Sequence, residues 1–342
     1  MKAVIFTQHG GPEVLTYTDA PEPKPRADEV LVRVRACALN HLDLFIRQGI
    51  PGIQIPMPHI NGSDISGEIA AVGELAGDVK IGDRVLLAPG ISCGRCAACL
   101  AGNDNLCRKY TLLGYLVNGG YAEYVVAPAR NALPIPAGLS FEEAAAIPLV
   151  FLTAWHMLVT RARLQPGEDV LILGGGSGVG SAGIQIARVL GARVIATVGD
   201  EEKAAATKAL GADHVIVHTR ENFQAKVKEI TAKHGVDVVF EHVGTATWPQ
   251  SVACLALNGR LVTCGATTGY DAKIDLRFLF SRHLSILGSY MGSKAELFPV
   301  LELFSRKQLR PVIDKVFPLA EAAEAHRRLE SREQFGKIVL KV

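Results

Sequence analysis

Apolar residues in the first third of the chain fall into short runs broken by turns. Val30-Leu31-Val32-Arg33-Val34-Arg35 alternates apolar with basic side chains, the pattern of a strand with one face in water. Apolar runs at 65–72 and 84–88 follow, set apart by turn signals at Gly73, Gly77-Asp78 and Gly82-Asp83. Pro21, Pro23 and Pro25 make a stiff extended connector. Residues 1 to 127 therefore predict a β-rich barrel or sandwich with few helices, such as 42–48.

The pattern changes at Phe141. Ser140 and Glu143 form a capping box at a helix start. Beyond it, strand-like blocks at 169–173, 193–198, 214–218, 236–243 and 260–264 alternate with helical periodicity at 179–190, 201–210, 221–233 and 247–256. Such alternation predicts a parallel sheet with right-handed crossovers and helices on both faces. The run 284–287 is a candidate sixth strand. Two helical stretches and a closing strand, 337–341, end the chain, and that strand is expected to return to the first domain.

Between the first of these strands and its helix lies Gly174-Gly175-Gly176-Ser177-Gly178-Val179-Gly180. A tight turn opening a helix gathers unpaired backbone N–H groups at the positive end of a dipole, a seat for pyrophosphate. In the G-x-G-x-x-G register Gly175 and Gly180 hold the outer positions and Ser177 the middle one, where its hydroxyl could also donate to phosphate. A dinucleotide is the expected ligand, with Gly175, Ser177, Gly178, Val179 and Gly180 around its pyrophosphate.

Composition narrows the field. The chain has 342 residues, 49% hydrophobic and 20% charged, enough for two domains with separate cores. A formal net charge of +2 gives no reason to expect nucleic acid or an anionic membrane as partner. No apolar stretch is long enough to span a bilayer, and the start, Met1-Lys2-Ala3-Val4-Ile5, has the pattern of a strand rather than a signal peptide. A cytoplasmic location is expected. The seven cysteines are an odd number, and four of them, Cys93, Cys96, Cys99 and Cys107, crowd one loop. Four thiolates at that spacing can close a tetrahedron around one structural zinc, with the metal supplying most of the loop's folding energy. Cys37, Cys254 and Cys264 sit in apolar runs and are expected as buried thiols.

The cysteine lobe 93–107, Gly120-Tyr121-Ala122-Glu123-Tyr124, the glycine turn, Leu210-Gly211-Ala212-Asp213 and the closing Phe335-Gly336-Lys337-Ile338-Val339-Leu340 together resemble the medium-chain dehydrogenase/reductases. The resemblance implies an α/β chain of two parts. One is a GroES-like, β-rich catalytic domain over 1–148 and 289–342, carrying the zinc lobe. The other is a doubly wound Rossmann domain with a parallel sheet over 149–288, which often pairs through its last strand into a homodimer or homotetramer.

The family's alcohol dehydrogenases hold a catalytic zinc through three side chains, and none of the three ligand types stands here. Asn40-His41-Leu42-Asp43 replaces a cysteine-bearing run, Gly62-Ser63-Asp64 replaces one with a histidine, and Ile147-Pro148-Leu149 offers no ligand. Asn40 and the Gly62-Ser63-Asp64 triplet are instead similar to the zinc-free quinone oxidoreductases of the superfamily. Many of those have a tyrosine where this chain has Phe45. His41, in the family a contact of the pyrophosphate, His59 and Asp64 are the residues that an unusual second metal site would use.

The resemblance makes Asn40, Ser63, Asp43 and Thr153 the candidate catalytic residues. Asn40 and Ser63 would donate to a substrate carbonyl as hydride arrives, in a cleft between the domains. For Asp43 the alternative is a helix-start carboxylate, and for Thr153 a hydroxyl bonded back to a helix carbonyl. Thr197, Gly244 and Gly265, at or just past strand ends, join the cofactor set. Where NAD-dependent folds put an acid, this chain has Val198-Gly199, followed by Asp200, Glu201 and Lys203. Lys203 could neutralise a 2′-phosphate, so NADP(H) is favoured over NAD(H); Asp200 and Glu201 count against it, and all three suit a helix start equally. Three functions stay open: a zinc-free reductase of quinones or conjugated carbonyls, an alcohol dehydrogenase with non-standard metal ligands, and a non-catalytic cofactor-binding protein.

Overall fold

The structure is a computed structural model and describes all 342 residues. The chain divides into two compact units, Met1–Leu149 with Ser293–Val342, and Val150–Gly292.

The first unit is built on the long strand Glu29–Ala38. Its apolar residues Val30, Val32 and Val34 are buried while Arg33 is exposed, so the alternation of the sequence becomes an inside and an outside face. Seven strands form one sheet around it. Asp64–Val72 pairs antiparallel on one side, Lys337–Lys341 on the other, and Tyr124–Pro128 also pairs with Glu29–Ala38. Register shifts between Leu31 and Val32 and between Val34 and Ala36 bend the strand and re-aim its far end. The closing strand thus does return to this unit, with Leu340 opposite Cys37. Beside it runs a parallel strand, Ile313–Pro318, that the periodicity missed.

The second unit is a six-stranded, all-parallel sheet. In spatial order its strands are His214–Val217, Arg193–Val198, Asp169–Ile172, Val236–Glu241, Leu255–Thr263 and Ser285–Gly288. The chain runs outward in one direction from Asp169–Ile172, then restarts beside it with Val236–Glu241, which makes a topological switch point at the ends of those two strands. Leu171, Ile195, Ile216, Val239 and Leu261 anchor one core cluster, with Phe223, Val227 and Val252 from the covering helices.

Two helices and one strand differ from expectation. The helix expected over 221–233 is Phe223–Ile230, because Asn222 caps it and Ala232 and Lys233 take positive φ angles just beyond it. The helix expected over 247–256 is Trp248–Ala253. The next strand starts at Leu255 rather than 260, and Asn258 at φ 63 accommodates a register shift within it. No helix is long and apolar enough to cross a membrane. Cys37 and Cys254 are buried as expected; Cys264, just past a strand end, is only half-buried.

Candidate active site and metal centre

The glycine turn lies at the switch point of the second unit. Gly174 has φ +58, which favours glycine, and its N–H donates to Thr197 Oγ1 at 3.1 Å, while Gly175 N donates to the Thr197 carbonyl at 2.7 Å. Thr197 is buried, and its hydroxyl braces the turn from the next strand. Ser177 is the N-cap of the helix Gly178–Val189, its Oγ accepting from Gly180 N at 2.9 Å. That capping explains serine in the middle position: it satisfies one N–H and leaves those of Gly178 and Val179, at the first two helical positions, for an anion.

His242 was not foreseen. It follows Val236–Glu241, its Nε2 lies 2.8 Å from the Leu173 carbonyl and 3.5 Å from Ser177 Oγ, and burial holds its pKa below the usual range. Beside it, buried Glu241 accepts from Val243 N at 2.8 Å, Gly244 N at 3.0 Å and the Thr247 hydroxyl. Gly244, at φ +93, is thereby part of a tight turn, whereas Gly265 is exposed past the end of its strand. Asp200 caps the helix Glu201–Ala209 by accepting from Lys203 N at 2.8 Å, and the Lys203 ammonium is 3.8 Å from its other oxygen. Glu201 pairs with Arg220 at 2.6 Å. Thr153 is buried, and its hydroxyl points at Met291 Sδ, 3.8 Å away, rather than back at a helix carbonyl.

In the first unit the sequence-derived residues do assemble, but into a closed network. Asn40 starts the helix His41–Gln48, and Asp43 Oδ2 accepts from Asn40 N at 2.7 Å as the returning arm of a capping box. Asp43 Oδ1 accepts from Gly62 N at 3.1 Å. With no exposed surface, Asp43 is the helix-start carboxylate of the two alternatives. Ser63 is equally buried, and its hydroxyl donates to the Leu113 carbonyl at 2.7 Å, so that donor is spent inside the protein. His59 is buried with Nε2 3.1 Å from the Gly114 carbonyl. Asp64 accepts three bonds: from Leu149 N at 2.7 Å, Asn40 Nδ2 at 3.0 Å and the Lys337 ammonium at 2.8 Å. Behind the helix, Arg47 contacts Glu330 and His326, and His326 in turn contacts Tyr121 at 3.1 Å. Burial first, and Arg47 second, depress His326 to about 3, so it stays neutral.

Burial pushes Asp43 up to about 7 from 3.8, against the pull of the Asn40 N–H and the Lys337 charge. The folded chain therefore binds a proton that the unfolded chain has released, and this group's contribution to stability is present below about pH 4 and is lost as pH rises towards 7. Each unit of offset corresponds to about 1.4 kcal/mol. Denaturant unfolding at pH 5 and pH 7 is expected to show wild type losing more stability with pH than Asp43→Asn; equal slopes would refute the shift.

The four lobe cysteines converge, all sulfurs lying within 4.8 Å of one another. Cys96 Sγ is 3.5 Å and Cys93 Sγ 3.9 Å from Cys99 Sγ. A tetrahedron of 2.3 Å zinc–sulfur bonds needs edges of about 3.8 Å. Cys107 Sγ also accepts from Cys93 N at 3.5 Å and Lys109 N at 3.4 Å. The Arg95 N–H, above all, lowers Cys93 to about 6, while, against the pull of the Cys99 N–H, the neighbouring thiols raise Cys96 to about 11. The donor set fits a closed structural zinc site held by Cys93, Cys96, Cys99 and Cys107, with no place for a substrate.

Residues 26–137 match the alcohol dehydrogenase GroES-like domain, and residues 178–306 the zinc-binding dehydrogenase family. The chain is similar to a quinone oxidoreductase of Homo sapiens, 31% identical over 99% of this chain and 97% of that protein. It is 34% identical to an NAD-dependent alcohol dehydrogenase of Sulfolobus acidocaldarius over the whole of both. A crystal structure of an NAD-dependent alcohol dehydrogenase, 48% identical, superposes with a TM-score of 0.97 over 100% of both chains. With its β-rich unit, parallel sheet, switch-point glycine turn and four-cysteine lobe, the chain belongs to the medium-chain dehydrogenase/reductase superfamily of NAD(P)-dependent oxidoreductases.

Proposed function

We propose that this enzyme passes hydride from a reduced nicotinamide to a quinone, or to an alkene conjugated with a carbonyl, with no metal at the reacting oxygen. The observation that carries the reading is the seat of Lys337. Its ammonium bonds Asn40 Oδ1 at 2.6 Å and Asp64 Oδ2 at 2.8 Å, so a cation already holds the carboxylate that a second metal would use and the carboxamide at the family's cysteine position. A dication among the same atoms would face that ammonium in a buried, weakly screened place. Ser63, at the family's histidine position, offers only a buried hydroxyl that is bonded elsewhere.

The bound nicotinamide supplies the hydride. The chain supplies the pyrophosphate seat around Gly175, Ser177, Gly178, Val179 and Gly180, and an N–H of Asn40 for the substrate oxygen as negative charge develops. One such donor contributes about 2–4 kcal/mol to the transition state. Asp43 supports Asn40 at the helix start instead of touching substrate, and Ser63 stays bonded to the Leu113 carbonyl. Phe45 has no hydroxyl, so the proton comes from another group or from water. A second copy of the chain is assigned to the edge strand Ser285–Gly288, where Ile286 is exposed, as are Leu276 and Phe280 on the helix Leu276–Ser281 that precedes it.

For the cofactor we retain NADP(H), on Lys203 and on a second cation nearby, Arg220. Asp200→Asn should keep the helix cap and remove the charge that opposes a 2′-phosphate. Its ratio of kcat/KM for NADPH over NADH is expected to rise about tenfold; a like charge at several Å costs about 1–3 kcal/mol near a surface. An unchanged ratio would remove the 2′-phosphate from this spot.

The 48% identity to a solved NAD-dependent alcohol dehydrogenase favours a second reading, alcohol oxidation. Assays of the purified chain with quinones, enones and alcohols, using both cofactors, separate the two when zinc is counted alongside. Quinone or enone reduction with one zinc per chain supports the proposal. Alcohol oxidation with two zincs per chain overturns it.

A further inference from the structure

The side chain of Lys337 is 4% exposed, at the head of the closing strand. Its three N–H donors meet three acceptors: the Leu39 carbonyl at 2.6 Å, Asn40 Oδ1 at 2.6 Å and Asp64 Oδ2 at 2.8 Å. The same Asp64 oxygen accepts from Asn40 Nδ2 at 3.0 Å, which closes a ring of ammonium, carboxamide and carboxylate. The two ends of a carboxamide are alike in shape, and only their partners decide which is which. Turned over, Asn40 would set its NH2 against the ammonium and its oxygen against the carboxylate, exchanging two attractions for two repulsions. One orientation is therefore enforced. In it, one Nδ2 hydrogen goes to Asp64, and the other faces only the Ala38 carbonyl at 3.5 Å, the outer limit of a hydrogen bond.

We propose that Lys337 is a positioning residue: its ammonium locks the Asn40 carboxamide so that an Nδ2 N–H is the end presented to a substrate oxygen. This rests on the function proposed above, in which Asn40 is the donor. The positive charge behind the carboxamide oxygen also draws electrons from the nitrogen and strengthens the N–H as a donor. A plain structural ion pair would affect folding alone; a positioning group affects turnover in protein that is fully folded.

Lys337→Met by itself strands a buried carboxylate, so the informative variant is Lys337→Met with Asp64→Asn, which removes both charges together. Lys337→Gln, keeping a donor without charge, is run beside it, so that one folded variant suffices. Melting temperature and near-ultraviolet circular dichroism are the check of fold, because Asn40, Asp64 and Lys337 lie in the first unit while NADPH affinity reports on the dinucleotide turn of the other. In the folded variants, kcat for quinone or enone is expected to fall about a hundredfold with KM nearly unchanged, the loss seen when an oxyanion donor is removed. Independently of turnover, the Asn40 side-chain amide signal of 15N-labelled protein, assigned by its absence in Asn40→Ala, should exchange with solvent at least about tenfold faster. Unchanged exchange overturns the proposal, and so does faster exchange with undiminished kcat. If the wild type reduces no quinone or enone, the function proposed above fails, and the exchange rate alone decides whether Lys337 orients Asn40.

Discussion

Cys107→Ser, or removal of metal by a strong chelator, is expected to unfold residues 93–107 and lower the melting temperature. Little else can hold that lobe. Leu100 and Leu106 are 76% and 70% exposed, and Cys107 is the one buried ligand. The regular structure nearby is one four-residue helical turn, Ala97–Leu100, and one three-residue 3-10 turn, Asp104–Leu106. Structural zinc in small domains supplies about 10–16 kcal/mol of folding energy, more than such a lobe could replace with contacts of its own. Asp104 gives the wider consequence. It lies inside the lobe and accepts from Lys294 N at 2.8 Å, at the start of the helix Lys294–Ser305, so loss of metal should also loosen that helix start. Hydrogen exchange read by mass spectrometry is the suitable measurement. Protection should vanish across 93–107 and weaken at 294–297, while Glu29–Ala38 keeps its own. Native wild-type protein should hold about one zinc per chain. Four freely titrating thiols in metal-free, fully protected protein would remove zinc from the account.

The four-cysteine cluster was legible in the sequence because its members are local: Cys93, Cys96, Cys99 and Cys107 lie within one loop, and their sulfurs converge. The parallel sheet was legible for a related reason. Each strand is a buried apolar run bounded by its own punctuation, as Arg193–Val198 lies between Gly191, at φ +79, and the capping Asp200. Ile313–Pro318 escaped because Asp314, Lys315 and the flanking prolines interrupt its apolar pattern; it is a strand because its neighbour Lys337–Lys341 pairs with it.

The candidate active site was half legible. Asn40 and Asp64 come together through a 3.0 Å hydrogen bond, but both are also bonded by Lys337, which lies 297 and 273 residues further along the chain. Lys337 was visible only as part of a closing motif. A strand pattern assigns a residue to a face but cannot say which buried acceptors its side chain reaches, and here those acceptors come from two other strands' ends. Ser63 shows the converse. Its type suggested a donor to substrate, and only the approach of the Leu113 carbonyl reveals that the donor is spent.

Gly180→Ala is expected to weaken dinucleotide binding more than Gly175→Ala or Gly199→Ala. The added carbon would lie 2.2 Å from the Gly174 carbonyl oxygen and 2.9 Å from Ser177 Oγ. The first of these is backbone and has no rotamer to escape into, so the turn must open. Opening withdraws the Ser177 cap, worth about 1 kcal/mol, and displaces the Gly178 and Val179 N–H groups that would meet pyrophosphate. A loss of affinity of about a hundredfold, near 2.7 kcal/mol, is the expected scale. Gly175→Ala should be milder. Its methyl would meet Ala196, Ile184 and Thr207 side-chain carbons, each at 3.2 Å, and side chains can yield by a few tenths of an ångström where a carbonyl cannot. Gly199→Ala is the control, since the nearest atom to its methyl would be His218 Nε2 at 4.0 Å. Titration of the three variants with NADPH and NADH, followed by fluorescence, tests the ranking. Equal affinities across all three would mean that the dinucleotide does not rest on this turn, and the cofactor reading would fall with it.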